Sequence, residues 1–132
     1  MKNLGYYIQK HNPTEKIPLE PNNEINVSYM KLIELVLPKC NRVFCSFNYL
    51  TELIIPQGCE WVSCRDNKLT KLLLPDSCKE VWCYDNYLTK LIVPKNCHVW
   101  CHNNDFHPII TELLESDDPI KIQLASNLQI NI

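Results

Sequence analysis

Polar and apolar positions in the middle of this chain recur with a fixed period. Cys40, Cys59, Cys78 and Cys97 stand 19 residues apart, and the same order of residues follows each of them. From Cys59 the unit reads Cys-x-x-Val62-x-Cys64-x-x-Asn67-x-Leu69-Thr70-x-Leu72-x-Leu74-Pro75. The unit from Cys40 reads the same with Val43, Cys45, Asn48, Leu50, Leu53, Ile55 and Pro56; a third begins at Cys78, and a fourth, one residue short, at Cys97. A period near 20 is the mark of a solenoid, in which each unit hides its apolar face only against the next. Val62 and Cys64 are two apart, so in a strand both point into the coil, while Trp61, Ser63 and Arg65 point out. Successive coils then stack short parallel strands, predicted near 25–27, 42–45, 61–64, 80–83 and 98–101. The interior columns are Val43/Val62/Val81/Val99, Cys45/Cys64/Cys83/Cys101 and Leu50/Leu69/Leu88.

Asn48, Asn67, Asn86 and Asn104 follow the strands where the chain must turn. A buried amide there can satisfy backbone groups of its own and of the adjacent coil. Pro56 and Pro75 close the return path, fixing φ and removing a donor, which predicts extended, polyproline-like back segments rather than helices. A degenerate unit precedes the four, with Ile25 and Val27 at strand phases, Met30 where Asn belongs, and Leu32, Leu35, Leu37 and Pro38 behind. Missing one residue between Cys97 and Val99, the last unit is expected to distort the sheet. Solenoid ends need covers, so the chain divides into an N-terminal cap (1–24), repeats (25–104) and a C-terminal cap (105–132). Residues 1–24, with three prolines, read as irregular or β-like. Pro108 opens a helix carrying Ile109, Ile110, Leu113 and Leu114. Asp118-Pro119 is a second start signal, with Ile120, Leu124 and Leu128 as the apolar stripe of a second helix. The alternation Ile120, Ile122, Leu124 leaves a strand open for the same segment; two short helices are the preferred expectation.

The unit resembles the leucine-rich repeat, L-x-x-L-x-L-x-x-N-x-L, with Cys59, Val62, Cys64 and Leu69 at the Leu positions and Asn67 at the Asn. Its tail Leu-Thr-x-Leu-x-Leu-Pro is similar to short bacterial units, one residue longer and with an additional proline. Short units with Cys in the strand also resemble leucine-rich-repeat proteins of giant, mimivirus-like DNA viruses of amoebae. The resemblance implies a leucine-rich-repeat superhelix built round a parallel sheet of about five short strands, and a recognition scaffold as its use.

The outward strand positions are Arg42, Phe44 and Ser46; Trp61, Ser63 and Arg65; Glu80, Trp82 and Tyr84; His98, Trp100 and His102. All three tryptophans of the chain fall in this set. Aromatics clustered with Arg are the stuff of interface hot spots, although rings on neighbouring strands also pack on one another for sheet stability. Arg42, Phe44, Trp61, Arg65, Trp82, Tyr84, Trp100 and His102 are accordingly the candidate partner-binding residues. A shallow face favours a protein or peptide over a small molecule, and it would also allow weak self-association. The next columns, Phe47/Asp66/Asp85/Asn103 and Tyr49/Lys68/Tyr87/Asp105, read as a solvated rim.

A net charge of −2 and a pI near 6.1 give no broad pull toward nucleic acid or anionic membrane. No apolar run approaches the ~20 residues of a bilayer span, and the N-terminus has no signal-like apolar stretch; a soluble, cytoplasmic protein is expected, in a host cell or virion if viral. The eight cysteines sit at core phases and read as reduced, small buried hydrophobes rather than a disulfide framework. Cys97, His98, Cys101 and His102 carry an alternative reading, a zinc-stabilised structural module. Against it, the two thiols fall at inward phases and the two imidazoles at outward ones. No cofactor is implied. No nucleophile with a base beside it, glycine loop or carboxylate cleft stands out, so no enzyme is expected.

Overall fold

The computed structural model describes residues 6–9, 15–17 and 23–130. In chain order these form β1 (Tyr6–Gln9), β2 (Glu15–Ile17), β3 (Glu24–Asn26), β4 (Glu34–Val36), β5 (Arg42–Phe44), β6 (Glu52–Ile54), β7 (Trp61–Ser63), β8 (Lys71–Leu73), β9 (Glu80–Trp82), β10 (His98–Trp100), α1 (Pro108–Leu114) and α2 (Pro119–Ile130). Stacked coils make a solenoid. Its front is a parallel sheet of order β3-β5-β7-β9-β10, with Ile25, Val43, Val62, Val81 and Val99 aligned in one column. All five are buried. Strand positions agree with those expected from the sequence to within a residue or so.

The core is filled by columns. Cys45, Cys64, Cys83 and Cys101 line one, Leu50, Leu69 and Leu88 another, and Cys40, Cys59, Cys78 and Cys97 a third; all are buried and every thiol is free. The shortened last unit leaves the sheet undistorted, contrary to expectation: His98, Val99 and Trp100 pair in register with Glu80, Val81 and Trp82. Lys79 has no counterpart in that coil, so the missing residue comes out of the corner before the strand, where Asn96 turns with φ of 58°.

The asparagines bind one coil to the next. Asn67 Oδ1 accepts from the Leu50 N–H at 3.0 Å, while its Nδ2 donates to the Cys45 and Cys64 carbonyls at 3.0 and 3.1 Å. Asn48, Asn86 and Asn104 repeat the pattern one coil apart. In the degenerate unit, the Met30 N–H also donates to Asn48 Oδ1, at 3.0 Å. The residue before each of these asparagines, Phe47, Asp66, Asp85 or Asn103, has φ between 55° and 59°. Asp and Asn tolerate that left-handed conformation and Phe does not favour it; Phe47 is held by stacking on Tyr29 at 4.5 Å.

The return path differs from the expected strand-free form. Its residues alternate, with Leu53 and Leu72 buried and Ile54 and Leu73 exposed, and coils stacked at strand spacing bring their backbones within bonding reach. Hence β6 and β8 pair in parallel, continued by Ile55 N–H to Leu73 O at 3.0 Å. At the N-terminal end β4 pairs antiparallel with β1, and β1 with β2, so the β-like alternative for that segment holds where it is described; the rest of 1–24 lies outside the described residues.

At the other end the two expected helices form. Ile110 and Leu114 of α1 are buried, while Ile109 is exposed. In α2 the expected stripe is reversed: Ile120, Leu124 and Leu128 are exposed, and Ile122, Ala125, Ser126 and Gln129 are buried. The surface α2 meets is the return segment of the last full coil, which forms no strand and whose buried Leu91 and Val93 backbone groups demand polar partners. Gln129 accepts from the Leu91 N–H and donates to the Leu91 carbonyl, both at 2.8 Å, imitating a neighbouring peptide. Ser126 accepts from the Val93 N–H at 2.8 Å, and Gln123 donates to the Val93 carbonyl at 2.9 Å.

Candidate interaction face

The front sheet carries the aromatic residues as a stepped file: Trp82 and Trp100 are in register, while Trp61 stands opposite Glu80, two residues away from Trp82. Trp61, Trp82 and Trp100 lie on successive strands, with ring centroids 6.1 Å apart across the first pair and 5.6 Å, edge to face, across the second. The Arg42 guanidinium caps the first indole at 5.1 Å, and His98 stacks on Trp100 at 5.1 Å. A second column runs beside it: Arg65 lies over Phe47 at 4.4 Å and Tyr84 at 5.3 Å, and Tyr84 stacks on His102 at 4.4 Å. Each cation is thereby held over a ring face, where the quadrupole attracts it.

All eight candidate residues are brought onto this one face. Arg42, Trp100 and His102 are exposed; Phe44, Trp61, Arg65, Trp82 and Tyr84 are half-buried because their neighbours shield them. The outward serines are a correction. Ser46 and Ser63 are buried, their hydroxyls 2.9 Å apart in a shared hydrogen bond. Small side chains among large rings are covered even on the outer face. Trp82 Nε1–H is buried without a hydrogen-bond partner, a state that costs about 1–3 kcal/mol. Mutual packing therefore supports the rings without satisfying them fully.

The rim is charged and asymmetric. Asp66 bonds to Arg65 at 3.0 Å, yet burial and the neighbouring Asp85 carboxylate together hold its pKa above the usual carboxylate value, against the pull of Arg65. Asp85 accepts from Asn103 Nδ2 at 2.6 Å.

The proposed zinc ligands do not converge. Cys97 and Cys101 are buried, whereas His98 and His102 are exposed on the other side of the strand. Among the described residues no group of three or more His, Cys, Asp or Glu side chains is placed to hold a metal ion. Burial pushes the Cys45, Cys78, Cys97 and Cys101 thiols up to about 12, and Cys64 and Cys83 well above the ordinary value. Thiols so protonated are poor nucleophiles and poor ligands; Cys59 is the exception, its thiol held below the ordinary value by the hydrogen bond from Cys40, whose own thiol is raised by it. The crevice at the end of the face, lined by His98, Trp100, His102, Glu115 and Asp117, holds about 170 Å³, less than a drug-sized ligand occupies.

A second surface escaped the sequence reading. Val36, Ile54, Leu73 and Ile92 form an exposed aliphatic column on the outside of the back segments. Its signal was present in the repeat, an apolar residue recurring at a phase that alternation turns outward. Among the described residues no helix is long and apolar enough to cross a membrane. No protein-family model matches the chain, and neither a curated protein nor a solved structure is detectably similar to it.

Proposed function

We propose that this protein is a non-catalytic interaction module that holds a protein or peptide partner on the aromatic front face. The observation that carries the reading is the continuous Arg42–Trp61–Trp82–Trp100 file, partly exposed and edged by Arg65 and His102. Large rigid rings lose little conformational entropy on binding, and with Arg they dominate interface energetics. The burial of all eight thiols inside the coils argues against a nucleophilic catalyst. The repeat phases resemble leucine-rich repeats, whose families generally serve as recognition scaffolds, which supports the same reading; a fold alone does not choose the partner. The mimivirus-like resemblance of the Cys-bearing units and a cytoplasmic site of action belong to this proposal.

Replacing Trp61, Trp82 and Trp100 together with Ser is expected to leave a folded chain by circular dichroism. Retention of partners from an extract of the native cell should fall at least about ten-fold, as loss of hot-spot residues does. Unchanged retention by the folded variant would contradict the proposal. If the triple variant unfolds, Trp100→Ser, at the exposed end of the file, provides the same comparison.

A further inference from the structure

The back of the solenoid carries two outward columns side by side. One is aliphatic: Val36, Ile54, Leu73 and Ile92, between 38% and 56% exposed. The other, two residues earlier in each coil, is charged: Glu34, Glu52, Lys71 and Lys90, all exposed. Down the stack the charges read minus, minus, plus, plus. A face of this kind complements itself when one copy is turned end for end.

We infer that this back face joins two copies of the chain about a twofold axis that lies parallel to the strands and passes between β6 and β8. Such an axis reverses the order of coils but keeps the strand direction, so each column meets its own kind. Glu34 faces Lys90 of the second copy, and Glu52 faces Lys71; Val36 meets Ile92, and Ile54 meets Leu73. The alternative axis, along the stack, sets charged residues against aliphatic ones and loses both complements. The contact is isologous and closed, as most homodimers are. Two such sheets pack about 10 Å apart, a gap that Glu and Lys side chains span. Four coils at strand spacing make a patch of roughly 15 Å by 15 Å, well short of the about 800 Å² per partner of a standard interface, so the association is weak. The turn column past the prolines places Lys39 opposite Lys95 of the second copy, which trims the affinity further. The surface lies on the opposite side from the aromatic file, so the dimer presents two front faces, pointing apart. Its formation does not depend on the binding proposed for those faces.

Sedimentation equilibrium of the full chain between about 10 µM and about 1 mM, the span of weak interfaces, tests it. The mass is expected to rise from one chain to two and stop. Glu52→Lys alone and Lys71→Glu alone should each move the midpoint at least about ten-fold higher, because like charges then oppose across the axis. An equimolar mixture of the two single variants should recover association, since every cross-chain pair is again complementary while each chain keeps its internal mismatch. The triple tryptophan variant should dimerise as the parent does. A parent mass that stays at one chain, a mass that climbs beyond two, a mixture that fails to associate, or dimerisation lost with the tryptophans would each overturn the inference.

Discussion

Asn67 joins two coils with one amide. Its oxygen serves Leu50 and its nitrogen serves Cys45 and Cys64, all inside the core. Replacing it with Ala takes the acceptor from the buried Leu50 N–H, while the Cys45 and Cys64 carbonyls each keep one amide, from Asn48 and Asn86. A buried N–H left unpaired costs about 1–3 kcal/mol, so Asn67→Ala should lower unfolding free energy by about 2 kcal/mol, read from a urea midpoint shift at unchanged slope. A shift under about 0.5 kcal/mol, the range of surface changes, would show that water replaces the amide and that the ladder is not what ties the coils. The role of this residue was legible because only a side chain with both donor and acceptor recurs at that phase. The burial of Ser46 and Ser63 was not. Alternation tells which side of a strand a residue takes, but how far its neighbours lean over it depends on their rotamers.

Elements at the ends of the stack solve a different problem, the open backbone of the terminal coil. At one end β1 continues the back segments as an antiparallel neighbour of β4; at the other α2 offers side chains in place of a strand. Its existence was legible from Asp118-Pro119 and the helical run behind it, but its orientation was not. The search for an apolar stripe assumes an apolar docking surface, and α2 docks on peptide groups. Gln129→Leu keeps the bulk and removes both bonds to Leu91. It should cost about 2–3 kcal/mol for two stranded backbone groups and raise light scattering as the edge opens to other chains. The exposed Leu124→Gln change should stay within about 0.5 kcal/mol. If the two variants melt alike, the helix packs by its apolar residues after all. The strands of the return path were missed for a related reason: proline argues for extended backbone, and only stacking shows that extended neighbours will pair.

Across the whole molecule one division of phases underlies both proposed surfaces. Val and Cys turn inward as columns, rings and charges turn outward, and the same 19-residue period repeats that choice in each full coil. The division was readable because a fixed period removes the register ambiguity that a single strand would carry. The direct measurement is mass-spectrometric counting of thiols alkylated by iodoacetamide near pH 8, where an ordinary exposed Cys with a pKa of about 8.5 is substantially ionised. Over an interval in which the denatured chain takes up eight adducts, the native chain is expected to take up none, since all eight cysteines are free and buried. Prompt labelling of Cys45, Cys64 or Cys83 in the native protein, or a denatured chain that accepts fewer than eight because thiols are paired across coils, would contradict it.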